Sequence, residues 1–174
     1  MTFLELEKRL GLKLVKEEWH QHPNGGGWVQ NTASVEEAAF IGPRAIVSDK
    51  ARVSGVARVS GEALVSGEAR VSGDAQVSGE ARVSGKARVS GEAQVSGKAR
   101  VYGEALVLNV SDLLVIGPIG SRDAHLTLAK DYAATGCFCG SWEEFAKQVA
   151  STHGSSQHAK EYLAALEFAK VRFK

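Results

Sequence analysis

Only two cysteines, Cys137 and Cys139, occur among the 174 residues. They stand two positions apart on one expected strand, which suits reduced thiols rather than a disulfide framework. No apolar run approaches the roughly 18 residues that a membrane-crossing helix needs. The N-terminus lacks the basic stretch, apolar core and small-residue cleavage site of a signal peptide. A basic arm is also missing: Lys plus Arg number 21 against 20 Asp plus Glu. The balance holds locally, at 4 against 4 in residues 1–28, 10 against 9 in 29–106 and 7 against 7 in 107–174. Without a concentrated positive charge, a nucleic-acid partner is excluded. Residues 29–106 contain no histidine, the commonest general base. These absences point to a soluble cytoplasmic protein without nucleic-acid or membrane partners.

What the chain has instead is a repeat. In "ARVSGEAQVSGKARVYGEA" (87–105) Val returns every six residues and Ala follows each Val by four. With Val or Ile first, thirteen hexads run from Val29 to the one that starts at Val101. Ala fills the fifth position of every hexad, from Ala33 to Ala105, and Gly the third from Gly55 onward. A helix needs apolar residues at period 3.6, which this spacing does not give. A hairpin meander needs turn signals at longer intervals. Six-residue spacing fits a solenoid of very short strands. Val points inward, the small Ala fits where the chain turns, and Gly supplies backbone freedom at the corner. Outward positions are then free to carry Ser, Arg, Glu, Lys or Gln.

In this register, residues 29–106 resemble the hexapeptide-repeat proteins, which form left-handed parallel β-helices; "IGPRAI" (41–46) looks like a typical member. The chain departs at position two, where Ser replaces the commoner Gly or acidic residue. The resemblance implies a mainly β fold of slightly over four triangular coils. At about 4.8 Å per coil the prism is roughly 20 Å tall. Many such proteins are trimeric acyltransferases that use a histidine near an inserted loop. Here the coils hold no loop insertion, and a base would have to come from His20, His22, His125, His153 or His158. Ice binding would need a flat threonine array, whereas Ser is mixed here with Arg, Glu and Lys.

Residues 18 apart stack on one face. Lys50, Glu68, Lys86 and Glu104 alternate in sign, beside a column of Arg52, Arg70 and Arg88. A charged, slip-resistant surface accounts for both columns, since acidic neighbours weaken any anion stripe. Outward apolar residues gather near the first coils. Phe40 and Val56 are read as sharing one face, and Ile46 and Leu64 the next. Exposed together they would form an unusual patch, so either residues 1–28 or other subunits of a homotrimer cover them.

Both ends of a solenoid need caps. In residues 1–28, "TFLE" (2–5) is a capping box for a helix that Gly11 ends. "LKLV" (12–15) is expected as a short strand and "HPNGGGWV" (22–29) as a loop leading into the first hexad. That loop has the glycines but not the Lys-Ser/Thr of a phosphate-binding loop. His20 and His22 alone are too few ligands for a metal. Residues 107–174 read as a small α+β domain. A strand is expected at 112–118, a hairpin from 124–131 and 132–138, and helices at 141–152 and 155–173.

"VIGPIGSR" (115–122), "TGCFCGSWEEFAKQV" (135–149) and "THGSSQHAKEY" (152–162) resemble a domain of uncharacterised phage and prophage proteins. In those proteins it often follows a hexapeptide stretch preceded by a loop like "HPNGGGW". The resemblance implies a phage origin, and the protein's place would then be the host cytoplasm. Ser155 and Ser156 stand where those relatives tend to carry acidic residues.

The candidate ligand-binding residues are Ser121, Arg122, Thr135, His158 and Tyr162. "GPIGSR" offers backbone N–H groups, a hydroxyl and a guanidinium at a strand end, a combination that holds phosphate or carboxylate. His158 and Tyr162 lie one helical turn apart and face one way. Cys137 with His153 or His158 would make a nucleophile and base, but a buried structural cysteine is the commoner case. No cofactor or metal is expected. The functional expectation is a non-enzymatic phage binding protein, multimerised by its β-helix. Its tail would sequester an anionic host molecule such as a nucleotide signal, or a host defence protein. The alternatives are a virion-associated assembly module and a hexapeptide-type acyltransferase.

Overall fold

A computed structural model describes residues 1–174. Helix α1 (Phe3–Leu10) is followed by strands β1 (Trp19–Gln21) and β2 (Trp28–Gln30). Two-residue strands then recur every six residues, from β3 (Ser34–Val35) to β15 (Leu106–Val107). They form the three walls of a parallel β-solenoid of about four turns. Partners stand 18 residues apart: Trp28 pairs with Ile46, Ile46 with Leu64, Leu64 with Arg82 and Arg82 with Arg100.

The hexad grammar follows from this geometry. Each Val of the repeat from Val53 to Val107 is at most 1% exposed, and the fifth-position Ala residues from Ala39 to Ala99 are fully buried. Ala63 N–H donates to the Ser60 carbonyl at 3.3 Å, so Ser, Gly, any residue and Ala close one corner. Gly at the corner is required twice over. Gly79 has φ +69°, the left-handed region that side chains disfavour. A Cβ there would also stand 2.9 Å from the Gly97 backbone of the next coil. Corners stack through the backbone as well, with Glu62 N–H donating to the Gly79 carbonyl at 2.7 Å. Each buried Val contributes ~1.5–3 kcal/mol by the usual transfer estimate.

The N-terminal segment covers one wall and closes two lower edges. α1 starts with a capping box in which Thr2 and Glu5 bond each other's backbone. Its Leu6 is buried with Trp19, Trp28 and Ile46, and Phe3 meets Trp28 edge-on at 5.5 Å. Arg9 reaches from α1 to the carbonyls of Arg44 and Glu62, and burial lowers its pKa. β1 pairs antiparallel with β2. The loop after it closes the second wall, with Gly27 N–H on the Ile41 carbonyl and Ile41 N–H on that of Asn24, both at 2.9 Å. The strand expected at 12–15 lies instead at Trp19–Gln21. Leu14 N–H is taken by the Glu7 carboxylate at 3.0 Å, which ties 12–15 to α1 and away from any sheet.

α1 itself covers Ile46, which is 1% exposed, and packs against Leu64. Ile46 is therefore not on the surface that another subunit would meet. Phe40 stays half-buried beneath the Arg58 guanidinium, 4.7 Å from its ring centre, and Val56 is exposed at the preceding corner. Lys86 and Glu104 of the alternating column form a 3.9 Å ion pair in open solvent.

The tail is an antiparallel sheet of β16 (Leu113–Ile119), β17 (Ala124–Ala129), β18 (Tyr132–Thr135) and β19 (Phe138–Gly140), followed by α2 (Trp142–His153) and α3 (Gln157–Arg172). Strand alternation divides its faces. Leu113, Ala129, Tyr132 and Ala134 join the core of the solenoid. Leu126, Leu128 and Ala133 face Phe145, Val149, Tyr162 and Leu166 of the helices. The sheet thus lies over the open end of the spine. Arg100 N–H donates to Thr127 Oγ1 at 2.9 Å and Tyr102 N–H to the Tyr132 hydroxyl at 2.7 Å. The last coil is closed by side-chain oxygens where no further strand exists to accept.

Candidate functional site

The tail carries a cleft of about 390 Å³ on the side of its sheet that faces the helices. Three structural pieces make it: the turn Gly120–Arg122, the end of the β18–β19 hairpin, and one side of α2 with Tyr162 of α3.

Backbone clamping sets the turn. Gly120 N–H donates to the Glu161 carboxylate at 3.0 Å, fastening the turn to α3. Gly120 has φ +71°, and the Tyr162 ring lies where its Cβ would be, 2.0 Å from that point. Only glycine allows this approach. Ser121 and Arg122 follow directly and line the cleft. The Arg122 guanidinium has no carboxylate within salt-bridge distance; its one hydrogen bond is to Cys137 Sγ at 3.7 Å.

The hairpin supplies Thr135, Gly136, Cys137 and Phe138. Arg100, on the last coil of the spine, donates to the Gly136 carbonyl and so anchors this rim to the solenoid. The Thr135 hydroxyl is buried and has no hydrogen-bond partner. A buried hydroxyl left in that state is costly unless something supplies a partner.

α2 begins with a capping box between Ser141 and Glu144, whose hydrogen bonds from the Ser141 backbone and hydroxyl hold the Glu144 carboxyl below the usual glutamate range. From there Phe145, Gln148, Val149, Thr152 and His153 face the cleft. Their spacing of three, four, seven and eight is one helical stripe. Phe145 meets Phe138 at 5.5 Å and Tyr162 at 5.7 Å, and His153 meets Tyr162 at 5.7 Å. The cleft therefore combines polar and cationic groups with aromatic rings.

The cleft brings together Ser121, Arg122, Thr135 and Tyr162. His158 does not line it. It stands outside, its ring 6.2 Å from that of His153 and its Nδ1 3.9 Å from the Glu161 carboxylate. Tyr162 is 5% exposed, so it serves as floor rather than as a projecting hydroxyl. Both cysteines are exposed, against the expectation of a buried thiol. Cys137 sits in the tight turn before β19 rather than within a strand, which leaves its side chain at the rim. No hydrogen bond joins Cys137 to His153 or His158. Phe138, Phe145 and Gln148 were missed by sequence reasoning. The last two lie on the α2 stripe, whose helical period is the same whether it faces a cleft or a core.

Of the remaining histidines, His20 is exposed with Nδ1 2.9 Å from Asn31, and His22 is buried with Nδ1 3.3 Å from the Asn24 carbonyl. No three His, Cys, Asp or Glu side chains cluster as a metal site would require. No helix is long and apolar enough to cross a membrane.

Residues 75–91 match the YdcK beta solenoid repeat. The match covers one stretch of the spine and agrees with its architecture. No curated protein and no solved structure matches the chain.

Proposed function

We propose that the protein is a non-enzymatic binding protein whose solenoid is a rigid spine and whose tail holds an anionic small molecule. The observation that carries this reading is the state of Arg122. Its guanidinium lines a concave site beside Ser121 and a partnerless Thr135 hydroxyl, yet pairs with no carboxylate. Arg in such a place suits an anion, because its planar fork can give two parallel hydrogen bonds to phosphate or carboxylate. The aromatic remainder of the cleft favours an organic anion over a bare one.

The likeness of the flanking motifs to phage and prophage proteins supports a viral setting, in which the tail removes a host nucleotide signal from solution or engages a host defence protein. The spine would multiply the site by assembling copies into a homotrimer through surfaces that include Phe40 and Val56, outward apolar residues that α1 leaves uncovered. Native mass spectrometry of protein purified from phage-infected cells tests the proposal. The expected result is a trimer that retains a small anionic molecule, absent from the Arg122→Ala protein. A monomer would sink the assembly half. The same molecule retained by Arg122→Ala would place the site elsewhere.

A further inference from the structure

We infer that the ligand of the cleft joins a planar base to a phosphate and has the size of a mononucleotide; this rests on the anion-binding reading above. Inorganic phosphate would occupy a small part of about 390 Å³ and leave the aromatic wall in water. That volume falls within the range of small-molecule sites, ~300–1,000 Å³. Arg122 and Ser121 line the cleft, as does Thr135, whose hydroxyl lacks a partner. Phe145 and Tyr162 are nearly inaccessible and form the floor. The half-buried Phe138 and His153 are the rings left for a ligand to stack on. Any base offers a flat face to such rings. Gln148 lies on the same stripe of α2 and carries both a donor and an acceptor, as the edge of a base requires and a plain phenyl ring does not. Its present partner is Thr152 Oγ1 at 3.0 Å, an exposed bond within the helix that a ligand can replace.

Calorimetry on the full chain tests this with the four nucleoside 5′-monophosphates, ribose 5-phosphate and inorganic phosphate as probes. The expected result is at least one mononucleotide bound about tenfold or more tightly than ribose 5-phosphate. Arg122→Ala should weaken every phosphate probe, and Phe138→Leu, which keeps the apolar bulk, should remove the preference for the nucleotide. Equal affinity of wild type for mononucleotide and ribose 5-phosphate would overturn the base while the anion reading stands. Failure of all the phosphates to bind would overturn both.

Discussion

The Tyr132 hydroxyl accepts the backbone N–H of Tyr102 at 2.7 Å, and it donates to the Arg100 carbonyl at 3.2 Å. One side chain thereby stands in for the missing next coil. A parallel solenoid ends in a row of unpaired backbone groups, which invites end-to-end pairing with another chain. Tyr132 and Thr127 end the row with oxygens that have no further strand to offer. The tail is therefore part of the stability of the spine as well as the carrier of the cleft.

Tyr132→Phe keeps the ring and its packing but leaves the Tyr102 N–H and the Arg100 carbonyl without that partner. The expected loss is ~1–3 kcal/mol in urea denaturation. Burial raises the Tyr132 pKa well above the ordinary tyrosine value. The unfolded chain thus loses this proton near pH ~10 while the fold still keeps it. The contribution is present below that pH and declines above it. Wild type should lose stability in that alkaline window, and Tyr132→Phe should lose less.

Acid acts at the starts of α1 and α2. The carboxyls of Glu5 and Glu144 are held below the usual glutamate value, first by the backbone hydrogen bonds of Thr2 and Ser141. As pH falls, the unfolded chain takes up these protons before the fold does, so stability is present above the ordinary range near ~4.3 and lost below it. The denaturation midpoint should therefore drop between about pH 6 and about pH 3. Glu5→Gln with Glu144→Gln, which keeps a capping side chain, should flatten part of that drop. An unchanged slope would mean that other carboxylates carry it.

The register of the coils has a direct test. Val77 is fully buried and Gln76 beside it is exposed. Val77→Asp buries a charge with no partner and should unfold the middle coils. Gln76→Asp should change stability by less than ~0.5 kcal/mol. Circular dichroism that reports equal tolerance at both positions would rule out the register.

Much of this architecture was legible because the repeat makes its own argument. A Val every six residues with Ala four later fits one kind of corner, and the Thr2–Glu5 and Ser141–Glu144 boxes mark the starts of two helices. The tertiary choices were less legible. Nothing local says that α1 lies across a wall and hides Ile46, because the complement to Leu6 comes from Trp19, Trp28 and Ile46, up to forty residues away. β19 is only three residues long and reads as the tail of a hairpin. At the site, Arg122 and Ser121 announce themselves at a strand end. Phe145 and Gln148 do not, since an α2 stripe facing a cleft has the same period as one facing a core. His158 shares a helix with Tyr162, but the helix turns it toward Glu161 and out of the cleft.

Corner glycines separate backbone strain from crowding. Gly79 and Gly103 both have left-handed φ, at +69° and +62°. A Cβ on Gly79 meets the Gly97 backbone at 2.9 Å, whereas one on Gly103 meets nothing within 4 Å. Gly103→Ala should lose only the conformational term, ~1–2 kcal/mol. Gly79→Ala should lose clearly more, because the next coil must shift. Equal thermal midpoints for the two variants would show that stacking of the corners is looser than the geometry requires.

Gly120 and Gly136 make the corresponding pair at the cleft. Both have positive φ, at +71° and +56°. A Cβ on Gly120 would overlap the Tyr162 ring at 2.0 Å, and the ring, 5% exposed within the helix core, has little room to retreat. Either the ring or the turn must move. If the turn moves, the Gly120–Glu161 hydrogen bond breaks and Arg122 loses its placement. A Cβ on Gly136 meets only the flexible end of Arg122, at 3.5 Å. Gly120→Ala should therefore weaken phosphate-probe binding by about tenfold or more and lower the melting temperature. Gly136→Ala should lower the melting temperature by the conformational term alone, ~1–2 kcal/mol in stability, and leave affinity within about threefold. If Gly120→Ala binds as wild type does, the turn is not what positions Arg122, and the hairpin rim anchored by Arg100 must hold it instead.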